Sequence, residues 1–267
     1  MSRRRLVVAL LACFAFVLPA TAAARRTPAP RGYDVSYPQC GAALPTNVLF
    51  GIVGVNNGIV YSTNPCLGAG DGASELAWAE QFDLAPILYA NTADPGPALS
   101  SHWPTGQGSP QYCDPSATDS AACSYDYGWD AAADSYQDAV NAYVSLGQLT
   151  PGATQTPAAN EWWLDLETAN SWESDTANNI SDLEGAVAYL QSKGVSSIGF
   201  YASATAWQTI TANTTVFSNL PSWRPGSGSR EKIAKSFCGT VGLTGGPLRY
   251  SQYSSGGLDA DVRCYSE

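Results

Sequence analysis

Apolar strands that alternate with helical segments constrain the fold of this chain more than any other feature of its sequence. The run at 49–56 is apolar on both faces, and similar apolar runs occur at 84–91 and 196–203. Such strands are typical of a parallel sheet that is covered by helices. The pattern predicts strands at 32–37, 49–56, 84–91, 161–167, 196–203, 221–223, 248–253 and 258–262, and helices at 74–82, 129–146, 175–193, 204–211 and 230–237.

About eight strands in this order predict a single domain, an irregular (β/α)8 TIM-like barrel over residues 32–267 that is stapled by disulfides. No helical segment separates the last two strands, so we expect that pair to be antiparallel. The alternative architecture is an open, doubly wound sheet. It has less support, because no glycine-rich phosphate-binding turn follows the first strand.

The predicted strand at 161–167 carries two acidic side chains on one face. Residues two apart in a strand point to the same side, so Asp165 and Glu167 should lie together above Trp163. The opposite face is formed by Trp162, Leu164 and Leu166. Each carboxylate disfavours ionisation of the other and burial adds to this effect, so the pKa of one carboxyl should rise.

A carboxyl with a raised pKa beside an ionised one suits glycoside hydrolysis, in which an acid protonates the leaving oxygen and its partner stabilises positive charge. Catalytic groups of closed barrels lie at the C-terminal ends of strands. On this basis Asp34 in the first strand, and Asp259 or Asp261 in the last, can join the pair. The structural alternative is that these acids cap backbone groups or pair with arginines.

The composition argues against several other partners and chemistries. The chain has 267 residues, of which 45% are hydrophobic and 13% charged, and its net charge is −10. This charge argues against nucleic acid and anionic membranes as partners. The only histidine, His102, falls in a long loop at 92–127, which argues against Ser-His-Asp, Cys-His and zinc sites. We expect no cofactor and no metal.

The N-terminus is typical of a secretory signal peptide. Three arginines at 3–5 precede an apolar core at 6–18, and small residues at 20–24 offer cleavage sites. The apolar run is too short for a lasting transmembrane helix. We therefore expect a signal peptide at 1–24, a linker at 25–31, and a secreted protein that is extracellular or associated with the cell wall.

Six cysteines follow the predicted signal peptide, and an even set in an exported chain indicates disulfide bonds. Their spacing does not match a zinc knuckle. The sequence alone does not choose among the possible pairings. Proximity along the chain suggests Cys40–Cys66, Cys113–Cys123 and Cys238–Cys264.

Aromatic residues are abundant, with 8 tryptophans and 14 tyrosines. Trp103 and Trp172 fall in loops that would surround the acids, and flat aromatic faces suit sugar rings. Tyrosines in the predicted strands can donate hydrogen bonds to a substrate if they face inward, and core packing is the alternative for each of them. The candidate substrate-binding residues are Trp172, Trp103, Tyr89, Tyr201, Tyr253 and Asp261.

Three motifs together resemble the glycoside hydrolase family 25 lysozymes. Residues 32–39, Gly-Tyr-Asp-Val-Ser-Tyr-Pro-Gln, look like the first-strand signature of that family. Residues 163–167, Trp-Leu-Asp-Leu-Glu, look like its Asp-x-Glu strand. Gln252-Tyr253 followed by Leu258-Asp259 is similar to its closing strand. The order and spacing of these motifs match over most of the chain that follows the predicted signal peptide.

The resemblance implies an irregular (β/α) barrel that cleaves the β-1,4 bond between N-acetylmuramic acid and N-acetylglucosamine in peptidoglycan. It implies that Glu167 is the general acid, and that Asp165 stabilises charge or orients the reacting acetamido group or a water molecule. Asp34 and Asp259 would complete the acidic site. Peptidoglycan or a related polysaccharide is then the partner, and we expect a monomer.

The disulfides and the loop at 92–127 are closer to secreted glycoside-hydrolase-like domains of bacterial cell-wall biology, many of which have no assigned activity. A second hypothesis is therefore a non-catalytic barrel that binds glycan or cell wall and has kept the fold. The two hypotheses differ in whether the acids turn a glycan over or only hold it.

Overall fold

Eight strands and five α-helices form the part of the chain that the computed structural model describes, which is residues 31–68, 73–149, 156–226 and 228–264. The strands are β1 (Arg31–Val35), β2 (Phe50–Gly54), β3 (Ile87–Asn91), β4 (Glu161–Leu166), β5 (Ile198–Ala202), β6 (Ser222–Arg224), β7 (Leu248–Ser255) and β8 (Leu258–Arg263). The helices are α1 (Glu75–Ala79), α2 (Ala121–Ser145), α3 (Thr176–Ser192), α4 (Ala204–Thr211) and α5 (Glu231–Phe237). The predicted signal peptide, and all but the last residue of the predicted linker, lie outside the described residues.

The eight strands close into one barrel in which each strand pairs with its neighbours in chain order. Strands β1 to β7 run parallel. Strand β8 is antiparallel to both β7 and β1, and this pairing closes the barrel. The predicted barrel and the predicted antiparallel pair are therefore confirmed. The barrel is irregular, because a short 3-10 turn at Tyr37–Gln39 stands where a helix would normally join β1 to β2.

Large aromatic side chains fill the inside of the barrel. Trp163 of β4 packs edge-to-face against Trp223 and Tyr250, with ring centroids 5.9 and 5.5 Å apart. Gly199 on β5 makes room for this ring, since a Cβ at that position would collide with the Trp163 indole. Trp163 therefore forms a packed floor beneath the end of the strand that carries the two acids.

The other face of β4 belongs to the outer core between the strands and the helices. Trp162, Leu164 and Leu166 are each 1% exposed and pack there. The alternation predicted for this strand is confirmed. It follows that the side chains of Asp165 and Glu167 must point toward the inside and the mouth of the barrel.

Helices α1 to α4 begin after residues whose side chains accept backbone N–H groups. These N-caps are Ser74, Ser120, Asp175 and Ser203. Helix α2 begins at Ala121, eight residues before the predicted start at 129. The first turns show no helical spacing of apolar residues, because buried polar and small residues, among them Ser124 and Asp126, occupy the inner face. None of the described helices is long and apolar enough to cross a lipid bilayer.

Helices α2 and α3 approach each other closely through two glycines. A Cβ on Gly128 would collide with the backbone carbonyl of Asp182, and a Cβ on Gly185 would collide with that of Tyr125. Glycine is unfavourable inside a helix by about 1 kcal/mol relative to alanine, so its presence at both contact points indicates a packing requirement.

Three disulfide bonds hold the loops of the barrel: Cys40–Cys66, Cys113–Cys123 and Cys238–Cys264. The pairing suggested by chain proximity is confirmed. The second bond fixes the long loop after β3 to the first turn of α2. The third joins the end of α5 to the residue that follows β8, so it fastens the strand that closes the barrel.

Candidate active site

Four acidic side chains meet in one cavity at the C-terminal end of the parallel strands. Asp34 comes from β1, Asp165 from β4, Glu167 from the residue after β4, and Asp259 from the start of β8. Since β8 is antiparallel, its first residues lie at the same end of the barrel as the last residues of the other strands. The cavity has a volume of about 350 Å3, within the range of small-ligand sites.

Strand register brings these groups together. Asp34 lies directly opposite Asp259 in the β1–β8 pair, so both side chains point to the same face. Asp165 lies beside Asn91 in the parallel pair of β3 and β4. The sequence predicts each of these acids individually, and the closure of the barrel makes them neighbours.

Asp165 is buried and its carboxyl is only partly satisfied. The side chain is 6% exposed, and its Oδ2 accepts a hydrogen bond of 2.7 Å from Asn91 Nδ2. Among the described residues Oδ1 has no hydrogen-bond partner. Burial, followed by the negative charges of Glu167 and Asp34, raises the pKa of Asp165 well above its usual value. The expected rise in the pKa of one member of the pair is thus confirmed for Asp165.

Glu167 lies at the mouth of the cavity and is exposed. Among the described residues neither Glu167 nor Asp165 forms an ion pair with a lysine or an arginine. Arg249 pairs instead with Glu161 at the start of β4, at 3.2 Å. The structural alternative, in which arginines neutralise the two acids, therefore does not describe this site.

Asp34 is held by a chain of hydrogen bonds. Gln252 Nε2 donates to Asp34 Oδ2 at 3.1 Å, and the Tyr201 hydroxyl donates to Gln252 Oε1 at 2.9 Å. Burial raises the pKa of Asp34 to about 6, although hydrogen bonds from Asp261 and Gln252 oppose the rise. Asp34 therefore gains or loses its proton in the weakly acidic pH range, and the net charge of the cavity changes with it.

Asp261 lies beneath the cavity and does not line it. The side chain is completely buried, and its Oδ1 accepts a hydrogen bond of 2.7 Å from Trp223 Nε1. Burial and the charge of Asp34 raise the pKa of Asp261 well above its usual value. Asp261 was expected to bind substrate, but it is buried and does not line the cavity, and its hydrogen bond to Asp34 makes it a support for that residue.

Two of the predicted aromatic residues, Tyr89 and Tyr201, line the cavity, and Trp223 joins them. The ring of Tyr89 passes over Gly54, where any Cβ would collide with it. Tyr253, in contrast, faces the outer core and is 4% exposed. The expectation for Tyr253 is wrong because side chains alternate along β7, so its neighbour Gln252 faces the inside.

Neither predicted loop tryptophan lines the cavity. The Trp103 indole N–H donates to the Thr118 carbonyl oxygen at 2.8 Å, and its ring packs 5.1 Å from that of Tyr127 on α2. The Trp172 indole N–H donates to the backbone oxygen of Glu167 at 2.9 Å. Trp103 thus orders the long loop, and Trp172 fixes the backbone that carries Glu167.

Several lining residues were not predicted from the sequence, notably Asn91, Asn170, Tyr37 and Gln252. Asn91 is the last residue of β3, so a polar residue at the C-terminal end of an apolar strand was the signal that could have identified it. His102 lies outside this cavity, stacked on the ring of Tyr61 at 4.0 Å. No group of His, Cys, Asp and Glu within the described ranges has the arrangement of a metal site.

The arrangement can perform two tasks on a bound sugar. A buried carboxyl with a raised pKa, that of Asp165, stands beside the exposed carboxyl of Glu167, and the cavity is open to water at the rim of the barrel. Such a pair can supply a proton to a leaving oxygen and stabilise the positive charge that develops on the sugar ring.

Comparisons with known proteins agree with the geometry. A family model described as Lysozyme-like protein 1 matches residues 133–237, which include β4 with Asp165, and Glu167 directly after the strand. No curated protein matches the chain. The fold is similar to that of a muramidase from Acremonium alcalophilum, with a TM-score of 0.55, 15% identity, and coverage of 88% of this chain and 94% of that one.

Two bacterial structures have similar folds. The lysozyme from Streptomyces coelicolor has a TM-score of 0.55 and 14% identity, over 90% of this chain and 94% of that one. The modular autolysin LytC from Streptococcus pneumoniae, solved in complex with a synthetic peptidoglycan ligand, has a TM-score of 0.51 and 10% identity, over 88% of this chain and 46% of that one. The resemblance to the family 25 lysozymes is thus confirmed as a resemblance of fold.

Proposed function

We propose that this protein is a secreted glycosidase that cleaves the β-1,4 bonds between N-acetylmuramic acid and N-acetylglucosamine in bacterial peptidoglycan. The observation that carries the proposal is the convergence of Asp34, Asp165, Glu167 and Asp259 on one solvent-open cavity at the C-terminal end of the barrel. The fold shared with a muramidase and with a bacterial lysozyme supports it. The peptidoglycan ligand of LytC supports the choice of polymer.

Glu167 is the general acid in this proposal. Its carboxyl is exposed at the mouth of the cavity, so a glycosidic oxygen can approach it, whereas the Asp165 carboxyl lies deeper. The Trp172 hydrogen bond to the Glu167 backbone holds this residue at the rim. Position, and not only the acidic character of the side chain, selects it for proton transfer to the leaving group.

Asp165 stabilises the reacting sugar in this proposal. Asn91 holds Oδ2, which leaves Oδ1 free to meet the acetamido group or a water molecule. Burial and the negative charge of Glu167 raise the pKa of Asp165. In the proposed reaction Asp165 acts as a carboxylate, because positive charge that develops on the sugar ring favours its ionised form and is stabilised by it.

The test is the release of new reducing ends from purified peptidoglycan. Glu167→Gln should lower the rate by about 100- to 10,000-fold, the usual contribution of a general acid, without lowering the melting temperature. Glu184→Gln on α3 is the matched control, because Glu184 is outside the cavity, and it should retain activity. Equal rates for wild type and Glu167→Gln would refute the assignment.

The non-catalytic, glycan-binding barrel is the second candidate. The observation that favours it is the raised pKa of Asp165 and of Asp34, because a raised pKa favours the neutral carboxyl group, which can donate a hydrogen bond to a sugar hydroxyl without any turnover. It predicts saturable binding of peptidoglycan, no reducing ends from any glycan, and binding that survives Asp165→Asn.

The extracellular location also belongs to the proposal. Three disulfide bonds favour an oxidising compartment. Residues 1–24 are proposed as the signal peptide, residues 25–31 as the linker and the barrel as a monomer. Mass spectrometry of the protein exported by a secreting host should find an N-terminus close to residue 25.

A further inference from the structure

A second groove adjoins the acidic cavity, and nothing in the proposed chemistry uses it. This side groove has a volume of about 430 Å3. Its walls are the loop after β2 (59–61), the loop after β3 (95–102) and the loop after β4 (169–171), with Tyr127 of α2 as part of its floor. All three loops follow the C-terminal ends of strands, so the groove opens at the same end of the barrel as the acids.

The two cavities share part of their lining. Ala169 and Asn170 line both of them and follow Glu167 by two and three positions in the chain. On the opposite side Gly58 lines the acidic cavity and the next residue, Ile59, lines the side groove. A polymer with one bond at Glu167 can therefore extend along the surface into the side groove.

The lining of the side groove is apolar at its rim. Ile59 is 61% exposed and Leu99 is 76% exposed, and both line the same groove, so together they present aliphatic surface to a ligand. Ser100 and Ser101 add hydroxyl groups between them. Aliphatic surface suits the C–H faces of sugar rings and the methyl groups of N-acetyl substituents, while hydroxyl groups suit the polar edges of sugars.

The charge of the site argues for an uncharged occupant. Among the described residues no lysine or arginine lines either cavity, and four carboxyl groups line the first. A stem peptide, whose free carboxylates need cationic partners, would find none there. An N-acetylated stretch of sugar is uncharged at these groups and needs no cationic partner.

The groove is formed before anything binds. Tyr61 stacks on His102 at 4.0 Å with the ring planes 8° apart, which joins the loop after β2 to the loop after β3. The Ser100 hydroxyl donates to the Tyr127 hydroxyl at 3.4 Å, and Cys113–Cys123 fixes the far part of the same loop. A preformed groove spares the ordering cost of binding, so modest contacts can contribute to affinity.

We infer that the side groove binds the sugar units of the glycan strand that adjoin the cleaved bond, so that the protein prefers long, peptide-free stretches of glycan to short fragments. The inference rests on the proposed function, because it takes Glu167 as the point at which the strand is cut. It adds a second binding surface that the acids alone do not require.

The test compares the affinities of short and long ligands. The Glu167→Gln variant, which leaves its ligand intact, is titrated calorimetrically with peptide-free glycan fragments of two and of about eight sugar units. We expect the long fragment to bind at least about tenfold more tightly. Adding Ile59→Ser and Leu99→Ser should reduce this preference to less than about twofold. Val216→Ser is the matched control at 57% exposure, in the loop between α4 and β6 at the opposite end of the barrel.

Three results would overturn the inference. The first is equal affinity for short and long fragments, and the second is a preference for length that survives both groove substitutions. The third is a ligand whose binding depends on Ile59 and Leu99 only when it carries a stem peptide, since that would place peptide in the groove. Hydrolysis by the wild type is measured separately. Turnover without a preference for long fragments would refute glycan binding in the side groove and leave the proposed glycosidase activity standing. Length-dependent binding without turnover would support glycan binding in the side groove and refute the glycosidase activity.

Discussion

Asp165 in β4 and Glu167 directly after it are two positions apart and point to the same side of the chain, but they occupy different surroundings. Asp165 is enclosed and held by Asn91, whereas Glu167 follows the last residue of the strand and is exposed. The difference arises because β4 ends at Leu166, at the level where the barrel opens. Two acids that the sequence presents as equivalent are thereby suited to different steps of one reaction.

The hydrogen bond from Asn91 should set the ionisation of Asp165. It favours the charged form, so Asn91→Ala should raise the pKa of Asp165 further. We expect a loss of activity of about 10- to 100-fold at neutral pH, the cost of one hydrogen bond to a charged group. The limb of the pH–rate profile that reports Asp165 should also move to higher pH.

Asn170→Ala is the control for that measurement, because Asn170 also lines the cavity but bonds to the Thr92 backbone and not to Asp165. It can change the affinity for glycan without moving that limb. A pH–rate profile of Asn91→Ala that overlays the wild-type profile would disprove the role assigned to Asn91.

At the scale of elements, strand register and helix contacts decide what the residues can do. In β7 the motif Gln252-Tyr253 is visible in the sequence, but only one of two neighbours can face the cavity, and the register of β7 with β8 selects Gln252. Short strands give little periodicity from which to choose. The start of α2 was hidden for a related reason, since its inner face carries buried polar residues.

The close approach of α2 and α3 should be sensitive to a single methyl group. Gly128→Ala would place a Cβ against the Asp182 carbonyl, so the helices must separate. Overpacking of this kind costs about 1–3 kcal/mol, which corresponds to a melting temperature lower by about 2–10 °C in a domain of this size.

Gly108→Ala is the matched control, because a Cβ at Gly108 meets nothing within 4 Å. Its melting temperature should stay within about 1 °C of the wild type, measured by calorimetry or circular dichroism. If Gly128→Ala were as stable as Gly108→Ala, the proposed packing requirement would be wrong.

The described part of the chain contains several buried or partly buried acids that form no ion pair. Burial raises the pKa of each of these carboxyls above its usual value, and they are Asp34, Glu75, Asp94, Asp165, Asp182 and Asp261. A folded state that holds protons which the unfolded state releases is stabilised at low pH. The free energy of unfolding should therefore fall as the pH rises from about 4 to about 7.

Asp94 offers the clearest test of this pH dependence. Burial, with the charge of Glu173, raises its pKa to about 7, so its stabilising contribution is present below about pH 4 and is lost as the pH approaches 7. Asp94→Asn removes the charge, so this variant should exceed the wild type in stability by about 2–4 kcal/mol at pH 8 and match it near pH 4. Urea denaturation at both pH values measures the difference.

Asp83→Asn, at an exposed position between α1 and β3, is the control and should have the same small effect at both pH values. An equal effect of Asp94→Asn at pH 4 and pH 8 would contradict the assignment. Loss of stability on alkalinisation would then have to come from the remaining buried acids.

The sequence by itself predicted the barrel, its antiparallel closing pair and the acids at the end of β4, and chain proximity suggested the disulfide partners that the structure shows, because periodicity and chain proximity are local properties. Only the tertiary structure decided which polar residues meet these acids. Asn91, Gln252 and the side groove arise from register between strands and from loops distant in the chain. Closure of the barrel sets those distances, and no local pattern encodes them.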